Sequence, residues 1–208
     1  MKKAAVFALA GLAGIASAQL HIDQSQIRDI NYSLSYEAVD NDTVSPEFTG
    51  LSYDALAFVA PVSENNFNPG NQVQEDYVSI QSDADYLNIL RFVGGVSTVG
   101  DTLVFGFFNA GGNLVDAFSV SFGSAGLTFV WTITINSDIF VPKEGFLVIQ
   151  SAATNTGPAN WRSREAAPAI GTTTGAAFRW NMEVSDVPTP ASLALLGLGG
   201  LAAGRRRR

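Results

Sequence analysis

Alternation of apolar and polar side chains with a period of two constrains this chain more than any other feature of its sequence. Phe178, Trp180, Met182 and Val184 are each separated by one polar residue. Residues 129–135 repeat the pattern with Phe, Trp and two Ile. Successive side chains of a strand point to opposite faces, so both segments are predicted as half-buried strands. Convincing helical stripes are missing from residues 30–187, which indicates an all-β chain.

Further strands follow from the same pattern and from the turn residues between them. Residues 102–108 and 114–122 flank a glycine pair that favours a hairpin, with Phe118, Val120 and Phe122 facing inward. Segments bounded by Asn, Asp, Gly or Pro add candidate strands at 30–39, 55–62, 86–94 and 145–151. The last of these has apolar residues on both faces and is predicted to be buried on both.

About eight such strands with 20 glycines favour an antiparallel β-sandwich of jelly-roll type, with a closed barrel as the alternative. An N-terminal signal helix and a short C-terminal apolar helix are expected to flank it. Residues 61–73 and 152–174 are predicted as long loops, where a binding surface is expected.

The N-terminus has the order of a secretory signal peptide. Two lysines precede an apolar run at 4–15, and Ala16 and Ala18 stand before Gln19 as small residues of a cleavage site. The run is too short to span a bilayer as a helix. Cleavage after Ala18 and export are therefore predicted. The exported chain has no cysteine, which excludes disulfides and thiolate chemistry.

The C-terminus has three parts. It begins with Val187, Pro188, Thr189 and Pro190, continues with an apolar run at 191–204, and ends with Arg205, Arg206, Arg207 and Arg208. The prolines oppose a helix before the run, and the arginines favour the cytoplasmic side of a membrane. The run is short for a permanent span, so a transient membrane association is expected.

This order resembles the PEP-CTERM sorting domain, with Thr189 in place of the glutamate of the motif. The resemblance implies partners in the secretion machinery and in an exosortase, a membrane transpeptidase that removes such tails. It also implies a cut near Pro190, a transient inner-membrane intermediate, and delivery to the cell surface or an extracellular polysaccharide matrix. The alternatives are an ordinary membrane anchor and a disordered tail. The predicted organisation is a signal peptide at 1–18, a β-sandwich at 19–187 and a sorting tail at 188–208.

Charge excludes one class of partner. The body between the two ends has six basic residues and nineteen carboxylates, a formal charge of about −13. Phosphate backbones repel such a surface, so nucleic-acid binding is not expected.

Three kinds of chemistry have candidate residues. His21, the sole histidine, follows the predicted cleavage site in a segment expected to be mobile, which argues against a catalytic role. Glycoside hydrolysis needs two facing carboxylates, for which Glu75 with Asp76 is one available pair. Calcium could bind at Asp40 and Asp42 or at Asp83 and Asp85, although neither pair continues into a complete calcium loop; the two aspartate pairs are also available for hydrolysis. No other cofactor is expected.

Sugar binding is the remaining candidate. Aromatic faces stack on sugar rings while polar side chains bond the hydroxyls, and Asn160, Trp161 and Arg162 combine both in a predicted loop. The alternative is that Trp161 caps the core. The favoured hypothesis is a non-enzymatic surface or matrix protein. A carbohydrate-binding module for extracellular polysaccharide is the second, and a glycan hydrolase the third.

Overall fold

The computed structural model describes residues 20–39, 51–81, 85–175 and 177–185. This part of the chain begins with a 3₁₀ turn at Gln24–Gln26 and is otherwise built from strands and their connections. The strands are β1 Tyr32–Ala38, β2 Leu51–Asp54, β3 Val62–Phe67, β4 Gln72–Val78, β5 Asp85–Val96, β6 Thr102–Asn109, β7 Leu114–Ser121, β8 Phe129–Ile135, β9 Phe140–Val141, β10 Glu144–Ser151, β11 Ala159–Arg164 and β12 Trp180–Ser185.

The strands form two antiparallel sheets. One has the order β4-β10-β6-β7. The other has the order β1-β8-β5-β11-β3, with β12 between β2 and β5 and with β9 beside β5. The prediction of an all-β antiparallel sandwich is therefore confirmed. The predicted helices of the signal peptide and the tail lie outside the described residues.

The main core lies between the inner faces of the sheets and is rich in aromatic rings. Phe118, Val120 and Phe122 are fully buried, as the alternation predicts. Trp131 and Trp180 are buried on the facing sheet, where Phe122 meets Trp131 edge to face at 4.7 Å between ring centroids. Burial of these rings supplies the main favourable term in folding.

A second, smaller core covers the outer face of the four-stranded sheet. Ile22 packs there with Phe108 and Val148, so β10 is buried on both faces as predicted. Gly106 leaves room for the Ile22 side chain, since a Cβ at Gly106 would lie 2.6 Å from Ile22 Cδ1. Arg28 then fixes the segment through its backbone N–H, which donates to Ala117. Ile22 and Arg28 are therefore tied to the sheet, and the expected mobility of the segment around His21 stays a prediction.

The irregular segments differ most from the sequence-based expectation. The predicted loops at 61–73 and 152–174 contain β3, the beginning of β4, and β11. The predicted strand at 55–62 is irregular except for Val62, because it crosses the outer face of the larger sheet. Leu56 packs there on Val93, and the carbonyl groups of Leu56 and Ala57 accept hydrogen bonds from arginines rather than from a strand.

Candidate functional site

The alternation of β11 divides the predicted sugar site between the two faces of a sheet. Trp161 points into the core, is 0% exposed, and stacks on Phe178 with 4.1 Å between centroids. Asn160 and Arg162 point to the outer face. A stacking platform needs an accessible ring, so the prediction of a sugar-binding role for the Trp161 ring is wrong. The alternative, a core position, is what the structure shows.

The polar residues of the predicted site lie on the outer face of β11 beside β3, where Asn160 is buried at 1% exposed. Asn160 donates through Nδ2 to Asn66 Oδ1 at 2.9 Å, and Asn66 is exposed. Arg162 forms an ion pair with exposed Glu64, and the Arg162 side chain is 17% exposed. The antiparallel register of β11 and β3 places both pairs directly opposite each other. We call Asn66, Asn160, Glu64 and Arg162 the edge cluster.

Two buried arginines lie behind the edge cluster. Arg179 bonds the Arg162 carbonyl through its backbone N–H, and its Nε donates to the Leu56 carbonyl at 3.0 Å. Arg164 donates to the carbonyls of Ala57 and Ala167. Burial, reinforced by the positive charges of Arg162 and Arg164, lowers the pKa of Arg179 to about 10. Glu64 forms an ion pair with Arg162, and the negative charge of Asp54 favours the charged form of Arg164, so two carboxylates face three guanidinium groups here.

The Glu75 carboxyl group forms hydrogen bonds that connect the two sheets. It lies on the inner face of β4, and its Oε1 accepts from the Tyr53 hydroxyl at 3.0 Å. Its Oε2 accepts from Trp180 Nε1 at 2.6 Å and from the Phe178 backbone N–H at 3.1 Å. Burial raises the pKa of Glu75 to about 8, against the opposing effect of these three donors. Sequence reasoning proposed Glu75 for catalysis and missed this role.

Asp76 lies on the opposite face of β4 from Glu75. Its carboxylate accepts from the Thr174 backbone N–H at 3.0 Å and from the Thr173 hydroxyl at 3.2 Å. Consecutive strand residues face opposite sides, so Glu75 and Asp76 do not line one cleft. The structure therefore does not bring this predicted carboxylate pair together.

Three of the four calcium candidates lie outside the residues that the structure describes. Asp40, Asp42 and Asp83 lie outside the described residues, and Asp85 is the first residue of β5. Within the described residues, no group of three or more His, Asp or Glu side chains is placed to hold a metal ion. Calcium binding stays a prediction.

His21 is exposed in a shallow surface depression between the N-terminal segment and the β6–β7 hairpin. The depression is lined by Leu20, His21, Gln26, Phe108, Gly112, Asn113 and Leu114. This lining contains no carboxylate that could orient the imidazole for catalysis.

The described part of the body therefore has the edge cluster on one sheet and Glu75 bound between the two sheets, and its final described strand, β12, ends at Ser185. The PEP-CTERM protein-sorting motif matches residues 186–208. The chain carries a PEP-CTERM sorting motif. The match includes Val187, Pro188, Thr189, Pro190 and the four terminal arginines. It supports export and sorting by exosortase along a cell-surface route.

No curated protein matches the chain, and no solved structure matches it. Among the described residues, no helix is long and apolar enough to cross a membrane. The signal residues Ala16, Ala18 and Gln19, like the tail, lie outside the described part.

Proposed function

We propose that the body is a non-catalytic structural domain of a cell-surface or extracellular-matrix protein, delivered through exosortase processing of its PEP-CTERM tail. The observation that carries the proposal is that buried carboxylates of the body accept hydrogen bonds from its own chain. Glu75 joins the sheets, Asp101 accepts from the backbone N–H groups of Thr156 and Gly157, and Asp116 accepts from Phe140. Each binds chain segments that are distant in sequence. These acidic side chains bind other segments of the sandwich instead of facing a substrate.

The proposal predicts a protein cut at both ends. Mass spectrometry of protein from the host surface and culture medium is expected to find Gln19 as the first residue and to find the arginine cluster removed. A variant in which Arg205, Arg206, Arg207 and Arg208 are all serine is expected to lose correct sorting, because the stop-transfer charge is gone. An intact tail on mature wild-type protein from the host would contradict the proposal.

A second candidate function is binding of an acidic extracellular polysaccharide, supported by the edge cluster and the excess of guanidinium charge behind it. A uronic acid carboxylate matches the planar fork of arginine, and the exposed amide of Asn66 suits sugar hydroxyls. The acidic remainder of the body repels an anionic polymer, so this function requires the attraction of Arg162, within a Debye length of about 8 Å of the contact, to exceed that repulsion.

Paired substitutions test the second candidate. Arg162→Gln is expected to weaken binding of polygalacturonate about tenfold, because a charge-assisted contact is lost. Glu64→Gln is expected to strengthen it, because Glu64 competes for Arg162. Isothermal titration calorimetry, with neutral dextran as the control polymer, measures both. Equal affinity of the two variants for polygalacturonate would exclude the edge cluster as the site.

A further inference from the structure

The folded body and the sorting motif are adjacent in the chain without a spacer. Strand β12 ends at Ser185, and the motif begins at residue 186. A fully extended chain covers at most about 3.5 Å per residue, so Ser185 and Pro190 lie no more than about 17 Å apart. An enzyme that grips residues 187–190 must therefore come close to the end of β12.

Strand β12 cannot easily supply extra length. It pairs with β5 on one side and with β2 on the other. Trp180 and Met182 are fully buried, and Trp180 also donates to Glu75. Releasing this strand would open the core between the sheets. The enzyme must accept the motif while the body remains folded beside it.

The surface around Ser185 carries exposed apolar side chains. Ser185 is paired with Tyr86, and Tyr86 is paired on its other side with Phe140. The Tyr86 and Phe140 rings are 4.6 Å apart, and Phe140 is 41% exposed. On the other side of β12, Ile80 is 67% exposed, and its N–H donates to Ser52 near the start of β2. We call Tyr86, Phe140 and Ile80 the exit surface.

We propose that the exit surface is the docking site for the membrane transpeptidase that processes the tail. The proposal rests on exosortase sorting, the processing route of the proposed function. Its partner is an apolar patch on the external face of the enzyme, beside the groove that receives residues 187–190. The short reach from Ser185 brings this surface against the enzyme. The acidic body opposes adsorption to an anionic bilayer, which favours the protein partner over the lipid surface.

The test compares processing rates of full-length variants in host cells, by pulse-chase labelling and mass detection of tail removal. The double variant Ile80→Ser with Phe140→Ser is expected to be processed about tenfold more slowly, because two of the three apolar side chains of the exit surface are lost. Val99→Ser is the matched control. Val99 is 62% exposed and lies in the β5–β6 connection, at the opposite end of β5 from Tyr86.

A spacer sharpens the test. Six Gly and Ser residues inserted after Ser185 let the enzyme reach the motif without touching the body, so the double substitution is expected to lose its effect in that background. Thermal unfolding of the mature double variant checks that the fold is intact. Unchanged processing of the folded double variant, or an equal slowing with and without the spacer, would overturn the docking site.

Two further outcomes separate the possible failures. Wild-type chain that is never processed would defeat the proposed function itself, whatever the exit surface does. Mature wild-type protein that floats with vesicles of anionic phospholipid, when the double variant does not, would assign the exit surface to lipid and overturn the enzyme as its partner.

Discussion

Replacing Trp161 with alanine is expected to lower the free energy of unfolding by about 3–5 kcal/mol, the range for removing a large aromatic side chain from a packed core. The ring is fully buried, stacks on Phe178 and lies 6.5 Å from the Trp180 ring. The substitution leaves a cavity between the sheets rather than an altered surface. Urea unfolding of the mature protein measures the change, which appears as a lower midpoint with little change in slope.

Trp161→Phe is the matched control. The indole N–H of Trp161 has no hydrogen-bond partner among the described residues. Phenylalanine keeps most of the stacking on Phe178 and removes this buried donor, which relieves part of the cost of the smaller ring. A loss of less than about 1.5 kcal/mol is expected. Loss of sugar binding by Trp161→Ala at unchanged stability would instead place the ring on the surface.

The sequence predicts the strands with a continuous apolar face. Residues 129–135 and 118–122 keep an apolar residue at every second position, and the structure forms β8 and the second half of β7 there. Their inner residues, Trp131, Phe118 and Val120, are buried as expected. In such segments local periodicity and tertiary burial agree, so the pattern alone identifies both the strand and its inner face.

Five of the described strands escape prediction: β2 and β9 are only four and two residues long, and β3, β4 and β11 carry polar groups on their inner faces. The inner face of β4 consists of Val73, Glu75 and Tyr77, and the carboxylate interrupts the apolar series. In β3 and β11 the apolar residues are too few for a visible period. Their burial depends on partners far away in sequence, such as Phe178 beside Trp161, and no local pattern encodes that distance.

The opposite error occurs at 55–62, where an apolar run predicts a strand. Its residues serve the outer face of the larger sheet, where Phe58 lies 5.5 Å beneath the Arg179 guanidinium. Cation–π contact and carbonyl acceptors make this irregular segment a cover for buried arginines. An apolar run predicts that a segment is buried, but whether its backbone forms a strand depends on the groups that accept and donate its hydrogen bonds.

Stability is expected to fall as the pH rises from about 5 to about 8, because Glu75 binds its proton more tightly in the folded protein than in the unfolded chain. Its pKa is about 8 when folded, against an ordinary value of 4.5. A raised folded pKa stabilises the protein fully below the unfolded value, and this contribution is lost as the pH passes through the folded value. Between the two values the loss is about 1.4 kcal/mol per pH unit. Urea unfolding at half-unit pH intervals measures it.

Glu75→Gln isolates this contribution from every other titrating group. Its amide matches the protonated acid, since the oxygen accepts from Trp180 and Phe178 while Nε2 donates to the Tyr53 hydroxyl. The variant is expected to lose the slope that Glu75 causes and to be more stable than wild type at pH 8. Tyr53→Phe removes a bond that lowers the Glu75 pKa, so the fall moves to higher pH. If Glu75→Gln is instead the less stable protein at pH 8, the three donors outweigh burial and the carboxylate is ionised inside the sandwich.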